Sequence, residues 1–377
     1  MRKLTPPNCV ITIRSGLKLA LIRRKFTATG GAELYLQRLL RALAEGGHDV
    51  HLFTESWREK PEGVTLHPVA VSGSRGELPL NFAEAVRLAV EAEPFNCVFS
   101  LERTIRQDVY RAGDGLHCVW QKRRGEFAPW WKKPFLSRGA FHRNMRALEA
   151  QTFDPANTGH VIVNSAMVQR EILEHFNFPN ERIHLIRNGV ETARFQRGNR
   201  GETRARFGVK EDEFLMLFTG SGWERKGLGY LIAALREMDG SKLKLLVVGK
   251  GRKPCCIPGN IIFAGPMSDV ENAYAAADLF TFLPVYEPSA NVCFEALAAG
   301  LPVVTTAQNG ASEVITEGVN GSVVDRPDDK AAVVKAIRFW HGKQDRRPVK
   351  TAFDLSLERN VMETLAVLEL AALEKRR

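Results

Sequence analysis

Short apolar runs alternate with amphipathic stretches from Leu17 to the C-terminus. In the first half the runs that read as buried strands are Leu17–Arg23, Val50–Thr54, Val64–Val71, Cys97–Leu101 and His160–Asn164. Helical periodicity falls on Ala32–Glu45, Asn81–Glu91 and Gly139–Phe153. In the second half the strands are Phe214–Thr219, Lys244–Val248, Ile261–Phe263, Leu279–Phe282, Val303–Thr305 and Ser322–Val324. Their helices are Leu228–Met238, Ser268–Ala276, Val292–Ala299 and Lys330–Trp340. Strands that alternate with helices predict parallel sheets covered on both faces, an α/β fold. The pattern occurs twice, and the segment Gly189–Gly201, without apolar periodicity, reads as a linker. The expected organisation is two doubly wound, Rossmann-like domains facing across a cleft, over residues 1–188 and 189–353. Residues 1–16 read as an extension ahead of the first strand. Residues 354–377 carry an amphipathic helix, Leu355–Leu373, which either braces the first domain or packs on its own.

Composition narrows the classes. No apolar run approaches the roughly 20 residues that span a bilayer. Arg14 and Lys18 interrupt the apolar start, which argues against a signal peptide. The six cysteines, Cys9, Cys97, Cys118, Cys255, Cys256 and Cys293, show no Cys-x-x-Cys spacing and read as free cytosolic thiols. A net charge of +10 calls for an anionic partner: phosphate, anionic lipid or nucleic acid.

The familiar nucleotide signatures fail. Gly220-Ser-Gly222-Trp-Glu-Arg225 has Arg in place of the third glycine of Gly-x-Gly-x-x-Gly. Gly222 and Gly227 have the gap of a P-loop, but Leu228 and Gly229 follow. No Asp-x-Asp triplet offers a metal clamp, so diphosphate charge falls to cationic side chains and helix N-termini. Arg225 and Lys226 stand between a strand and a helix, where cations oppose the helix dipole. A bound anion explains the placement; a solvated pair is the plainer reading. Gly30 and Gly31 follow the first strand and open a helix, as a phosphate turn or an ordinary tight turn does. Glu287 and Glu295 stand eight positions apart, the first in a loop, the second inside a helix beginning near Asn291 and Val292. Carboxylates on either side of a helix N-terminus suit the hydroxyls that flank a diphosphate.

Taken together, Glu287-x7-Glu295, Arg225-Lys226-Gly227, Gly30-Gly31, the Asn188-Gly189-Val190 turn and Ala276-Ala-Asp278-Leu resemble the retaining GT-B glycosyltransferases of family 4, over Leu17 to about Leu370. Thr54-Glu-Ser-Trp57 and Asp108-Val-Tyr-Arg-Ala-Gly-Asp114 resemble the members that build the lipopolysaccharide core. The resemblance implies that Glu295 holds the ribose and Glu287 the donor sugar. It implies that Arg225 and Lys226 neutralise the diphosphate, with Gly30, Gly31, Gly222, Asn291 and Val292 completing the donor site. Asp114 would lie near the reacting carbon, with His117 in reserve; a loop histidine is the plainer reading of the latter. The catalytic set implied is Asp114, Glu287, Arg225 and Lys226, with neither metal nor cofactor. The implied reaction moves a hexose, glucose from UDP-glucose, to the heptose region of a lipopolysaccharide core at the cytoplasmic face of the inner membrane. Another nucleotide sugar, another lipid-linked or soluble glycan, and a non-catalytic binder of anionic surfaces are the alternatives.

The segment Trp120–Arg146 carries a net charge of +7 and three of the six tryptophans. Trp120, Lys122, Arg123, Arg124, Trp130, Trp131, Lys132 and Lys133 suit an anionic membrane surface. Aromatics in a core below a solvated charged face come next. Single-stranded nucleic acid is a distant third.

Overall fold

The computed structural model describes residues 16–25, 31–57, 62–131, 133, 136, 138–238, 242–254 and 257–376. The first half runs β1 (Lys18–Ile22), α1 (Gly31–Glu45), β2 (Asp49–Thr54), β3 (Val64–Pro68), α2 (Leu78–Glu91), β4 (Cys97–Ser100), β5 (Gln107–Arg111), α3 (His117–Phe127), α4 (Ala140–Thr152), β6 (Thr158–Val163), α5 (Ala166–His175) and β7 (Ile183–Leu185). The second runs α6 (Thr192–Phe195), α7 (Arg200–Arg206), β8 (Phe214–Thr219), α8 (Leu228–Leu235), β9 (Leu243–Val248), β10 (Ile261–Gly265), α9 (Val270–Ala276), β11 (Leu279–Phe282), α10 (Asn291–Ala298), β12 (Val303–Thr306), β13 (Gly321–Val324), α11 (Lys330–Gly342) and α12 (Leu357–Lys375).

The strands form two parallel sheets, in the orders β3-β2-β1-β4-β5-β6-β7 and β10-β9-β8-β11-β12-β13. Every residue of β8 is buried, as an unbroken apolar run requires when both faces are covered. The segment 189–201, expected as a linker, instead holds α6 and the start of α7. Phe195 buries its ring against Tyr274 there, a contact without local periodicity. Strands β5 and β7 and helices α3 and α5 were also not expected. Gln107-Asp-Val-Tyr-Arg mixes polar and apolar positions, and α3 has almost no apolar stripe.

The second half of the chain returns to the first. Leu357, Val361, Val367, Leu368, Ala371 and Ala372 of α12 join the core formed by β1 and α1. Lys375 Nζ reaches Asp108 Oδ2 at 2.8 Å, and Asn360 Nδ2 donates to the carbonyl of Arg187 at 2.7 Å. The two passages of the chain between the sheets lie side by side, as a parallel bridge between Val190 and Ser356. A Cβ on Gly189 would sit 2.4 Å from the Ser356 carbonyl oxygen, so only glycine allows that approach.

Polar ties also cross the gap. Glu313, after β12, accepts the amides of Ala166 and Met167 at the start of α5, at 3.0 and 2.8 Å. It pairs with Arg187 at 2.9 Å as well. The Tyr286 hydroxyl donates to Glu171 Oε2 at 2.6 Å and accepts the Leu116 amide at 3.2 Å. Burial pushes the Glu171 carboxyl up to about 7, against the opposing effect of the Tyr286 hydroxyl. The folded chain therefore keeps a proton that the unfolded chain releases above its ordinary value of 4.5. That contribution to stability is whole below the unfolded value and is lost as pH rises through about 7.

Two outcomes follow from this architecture. Thermal unfolding at pH 8 will come at a lower temperature than at pH 5, and Glu171→Gln will remove part of that slope. Leu368→Ala will cost about 2–5 kcal/mol in urea unfolding, because it empties the seam between α12 and the first sheet.

Candidate active site

The cleft lies at the carboxyl ends of both sets of strands. From the first sheet, Arg23 follows β1, Leu101 follows β4, Arg111 ends β5 and Asn164 follows β6. From the second, Lys226 stands between β8 and α8, and Glu287 to Val292 lead from β11 into α10. Gly113, Asp114, Asn188, Gly189 and Tyr35 complete the wall of a cavity of ≈330 Å³.

On the second-sheet side, backbone geometry fixes the side chains. Gly227 has φ +82°, and a Cβ there would lie 1.7 Å from the carbonyl oxygen of Leu283. This glycine lets the Arg225–Lys226 turn dock on the loop after β11. Glu287 is held by its neighbours: its amide donates to Gln308 and its carbonyl accepts from Gly310, both at 2.9 Å. Asn309 Oδ1 accepts the amide of Ala290, just ahead of α10, at 3.1 Å. The loop is thus rigid before any ligand enters, and the first turn of α10 meets the cavity with its N–H end.

The electrostatics are those of a desolvated, charge-balanced pocket. Burial holds the Lys226 ammonium below the ordinary lysine value, and Glu287 opposes that shift. Arg225 Nη1 lies 3.1 Å from Glu287 Oε2, in contact but without the alignment of a hydrogen bond. Glu295, one turn inside α10, accepts the Tyr274 hydroxyl at 2.7 Å. Burial raises its carboxyl above the usual range, against that hydrogen bond.

On the opposite wall, Arg111 stacks its guanidinium 4.4 Å over the Tyr35 ring and donates to Asn188 Oδ1 at 3.1 Å. Asn188 Nδ2 in turn bridges to Asn291 Oδ1 at 2.7 Å and to the Ser289 carbonyl at 3.0 Å. Asn164 Nδ2 donates to the Gly113 carbonyl at 3.1 Å. Four polar atoms of this lining are buried with no hydrogen-bond partner among the described residues: Arg111 Nη1, Asn164 Oδ1, Glu287 Oε2 and Ser289 Oγ. A cationic donor, a hydroxyl and two acceptors complement a ligand that carries both anionic oxygens and hydroxyls.

Of the residues singled out in the sequence, Asp114, Lys226, Glu287, Asn291, Val292 and Glu295 line this one cavity. Arg225 stands at its edge through Glu287. Gly31 opens α1, the helix that brings Tyr35 to the wall; Gly30 lies outside the described residues. Gly222 is exposed, with its amide bound to the Lys250 carbonyl, and is not part of the lining. His117 is not part of it either. Its ring is buried, 3.1 Å from His142 Nδ1, and burial brings its pKa down to about 4. Sequence reasoning passed over Arg23, Arg111, Asn164 and Ser289. The usable signal was position: a polar residue at the carboxyl end of a parallel strand.

The basic aromatic segment divides. Trp130 and Trp131 are 79% and 58% exposed, and Lys122, Arg124 and Lys133 are exposed beside them in sequence. Arg123 is half-buried and pairs with Glu126 at 3.2 Å; Lys132 lies outside the described residues. Trp120 is a correction: half-buried, it stacks on His117 at 5.5 Å, so its ring belongs to packing rather than to an open surface. A larger hollow of ≈850 Å³ opens beside α6 and α7. Its Arg200 and Arg347 are already occupied by the carbonyls that end α9 and α10.

Two family models cover the chain in succession: Glycosyltransferase Family 4 over residues 29–194 and Glycosyl transferases group 1 over residues 213–341. The chain is 27% identical over 333 residues to the lipopolysaccharide glucosyltransferase WaaG of Escherichia coli (strain K12), covering 83% of this chain and 87% of that protein. The crystal structure of WaaG superposes with a TM-score of 0.75 at 24% identity, over 94% of this chain and 98% of that one. HepE of Anabaena, solved in complex with UDP-glucose, superposes with a TM-score of 0.68 at 15% identity, over 96% and 99% of the two chains. At these identities the structural likenesses speak to the fold. The succession of the two models, the doubled parallel sheets and the cleft between them make the chain a GT-B glycosyltransferase, a member of family 4.

Proposed function

We propose that this glycosyltransferase moves glucose from UDP-glucose, with retention and without metal, to the heptose region of a lipopolysaccharide core. The observation that carries the reading is the set of buried polar atoms in the cleft without a hydrogen-bond partner among the described residues, joined there by Lys226 and the start of α10. A nucleoside diphosphate sugar supplies the missing partners: anionic oxygens for Arg111, Lys226 and the helix end, hydroxyls for the carboxylates. The likeness to WaaG supports the glycolipid acceptor, and HepE shows that this fold accommodates UDP-glucose.

The chemistry follows from the placement. Glu295 receives the ribose hydroxyls, with its acidity already adjusted by burial. Glu287 receives hydroxyls of the transferred sugar. As the bond to the diphosphate breaks, positive charge grows on the sugar ring and negative charge on the leaving oxygen. Lys226, Arg225 and the α10 N-terminus are fixed in advance near that negative charge, and such preorganised stabilisation is the largest contribution available here. The acceptor hydroxyl enters on the face that the diphosphate leaves, and the departing phosphate takes its proton. Asp114, exposed on the acceptor side of the cavity, orients that hydroxyl.

The exposed Trp130–Trp131 pair and its neighbouring cations form the membrane-facing surface, where a lipid-linked acceptor is found. Among the described residues no helix is long and apolar enough to cross a membrane, so this contact is peripheral.

Transfer from UDP-glucose to a core acceptor lacking that glucose is the direct test. Lys226→Ala will lower kcat/KM about 10²–10³-fold while barely moving the unfolding temperature, and Arg225→Ala will show a smaller loss. EDTA will leave the rate unchanged. Parent rates in both variants would remove the assignment. Binding to anionic vesicles, measured by sedimentation, will fall about tenfold when Trp130 and Trp131 are both changed to Ala, and will weaken in about 0.5 M salt.

A further inference from the structure

At the β3 edge of the first sheet, two imidazoles and a carboxylate converge. His51 is in β2 and His67 in β3; Glu93 lies between α2 and β4, beside the start of β1. His51 Nδ1 and His67 Nε2 share a hydrogen bond of 2.7 Å, which an ion would replace, and Glu93 Oε1 is 3.8 and 3.9 Å from them. The three atoms form a triangle whose centre is about 2.1 Å from each corner, the length of a zinc–nitrogen or zinc–oxygen bond.

We propose that His51, His67 and Glu93 bind a transition-metal dication of the zinc class, with a fourth position open to water. Two imidazoles and one carboxylate are a donor set for such an ion. The surroundings are built for the same end. Asp49 Oδ1 lies 3.2 Å from His51 Nε2, the ring nitrogen not used in the cluster, in contact but without the alignment of a hydrogen bond. Lys18 Nζ engages Glu93 through the other carboxylate oxygen, Oε2, at 2.6 Å, and leaves Oε1 facing the imidazoles. The rings are held before any ion arrives: Phe53 stacks on His67 at 4.4 Å, and Phe95 meets His51 edge-on at 5.1 Å.

The ion would join the edge strand β3 and its neighbour β2 to the segment before β4. It stands apart from the transfer chemistry, so its test does not depend on the donor or acceptor. The full chain, free of any histidine tag and stripped with chelator, will bind one Co²⁺ per molecule with the visible d–d bands of four-coordinate cobalt. Zn²⁺ will displace the cobalt and raise the unfolding temperature. His67→Ala and Glu93→Gln, the latter nearly isosteric and tolerant of folding, will each weaken Zn²⁺ binding by about tenfold or more. Absence of stoichiometric binding, or equal affinity in both variants, would overturn the proposal.

Discussion

Arg111 Nη1, Asn164 Oδ1, Glu287 Oε2 and Ser289 Oγ are buried on the walls of one cleft without a hydrogen-bond partner among the described residues. Leaving such a group unsatisfied costs about 1–3 kcal/mol, and more where it is charged. A fold that places four such groups around one cavity has its polar walls oriented ahead of ligand binding. The rest of the cleft is consistent with that state. Lys226 is a desolvated ammonium and Glu295 a desolvated carboxyl, each shifted by burial toward its neutral form. An anionic ligand restores the ammonium's preference for charge.

What keeps those walls in register is the joining of the two halves. The chain crosses twice, at Val190 and Ser356, and the close approach at Gly189 confines both crossings to one narrow seam. Two polar clasps stand away from that seam: Glu313 on the start of α5, and Tyr286 between Glu171 and the Leu116 amide. Tyr286 is the immediate neighbour of Glu287, and Leu116 lies two residues beyond Asp114. The second clasp therefore ties the Glu287 loop to the loop that carries Asp114, across the cleft. Movement of one sheet relative to the other would strain these hydrogen bonds.

The basic aromatic segment shows how packing sorts residues that share a composition. Trp120 and Trp130 are both beside cations in the sequence. One stacks on His117 within the fold; the other is largely in solvent. The same sorting withdrew His117 from the cleft, since its ring is spent on His142 and on the packing of α3 against α4.

The sequence by itself determined the alternation of strand and helix, the doubling of that pattern, and the acid-and-base set of the second half. These are local: an unbroken apolar run such as Phe214–Thr219 can only be a two-faced buried strand, and Glu287 to Glu295 lie within a single loop–helix unit. Tertiary structure decided the rest. The amphipathic pattern of α12 states that one stripe must be buried but not against what, and only the fold lays it on the first sheet. Arg111 and Asn164 have no shared motif with Ser289, from which they are separated by more than a hundred positions. They meet because parallel strands end on the same side of each sheet, and because two such sides face one another.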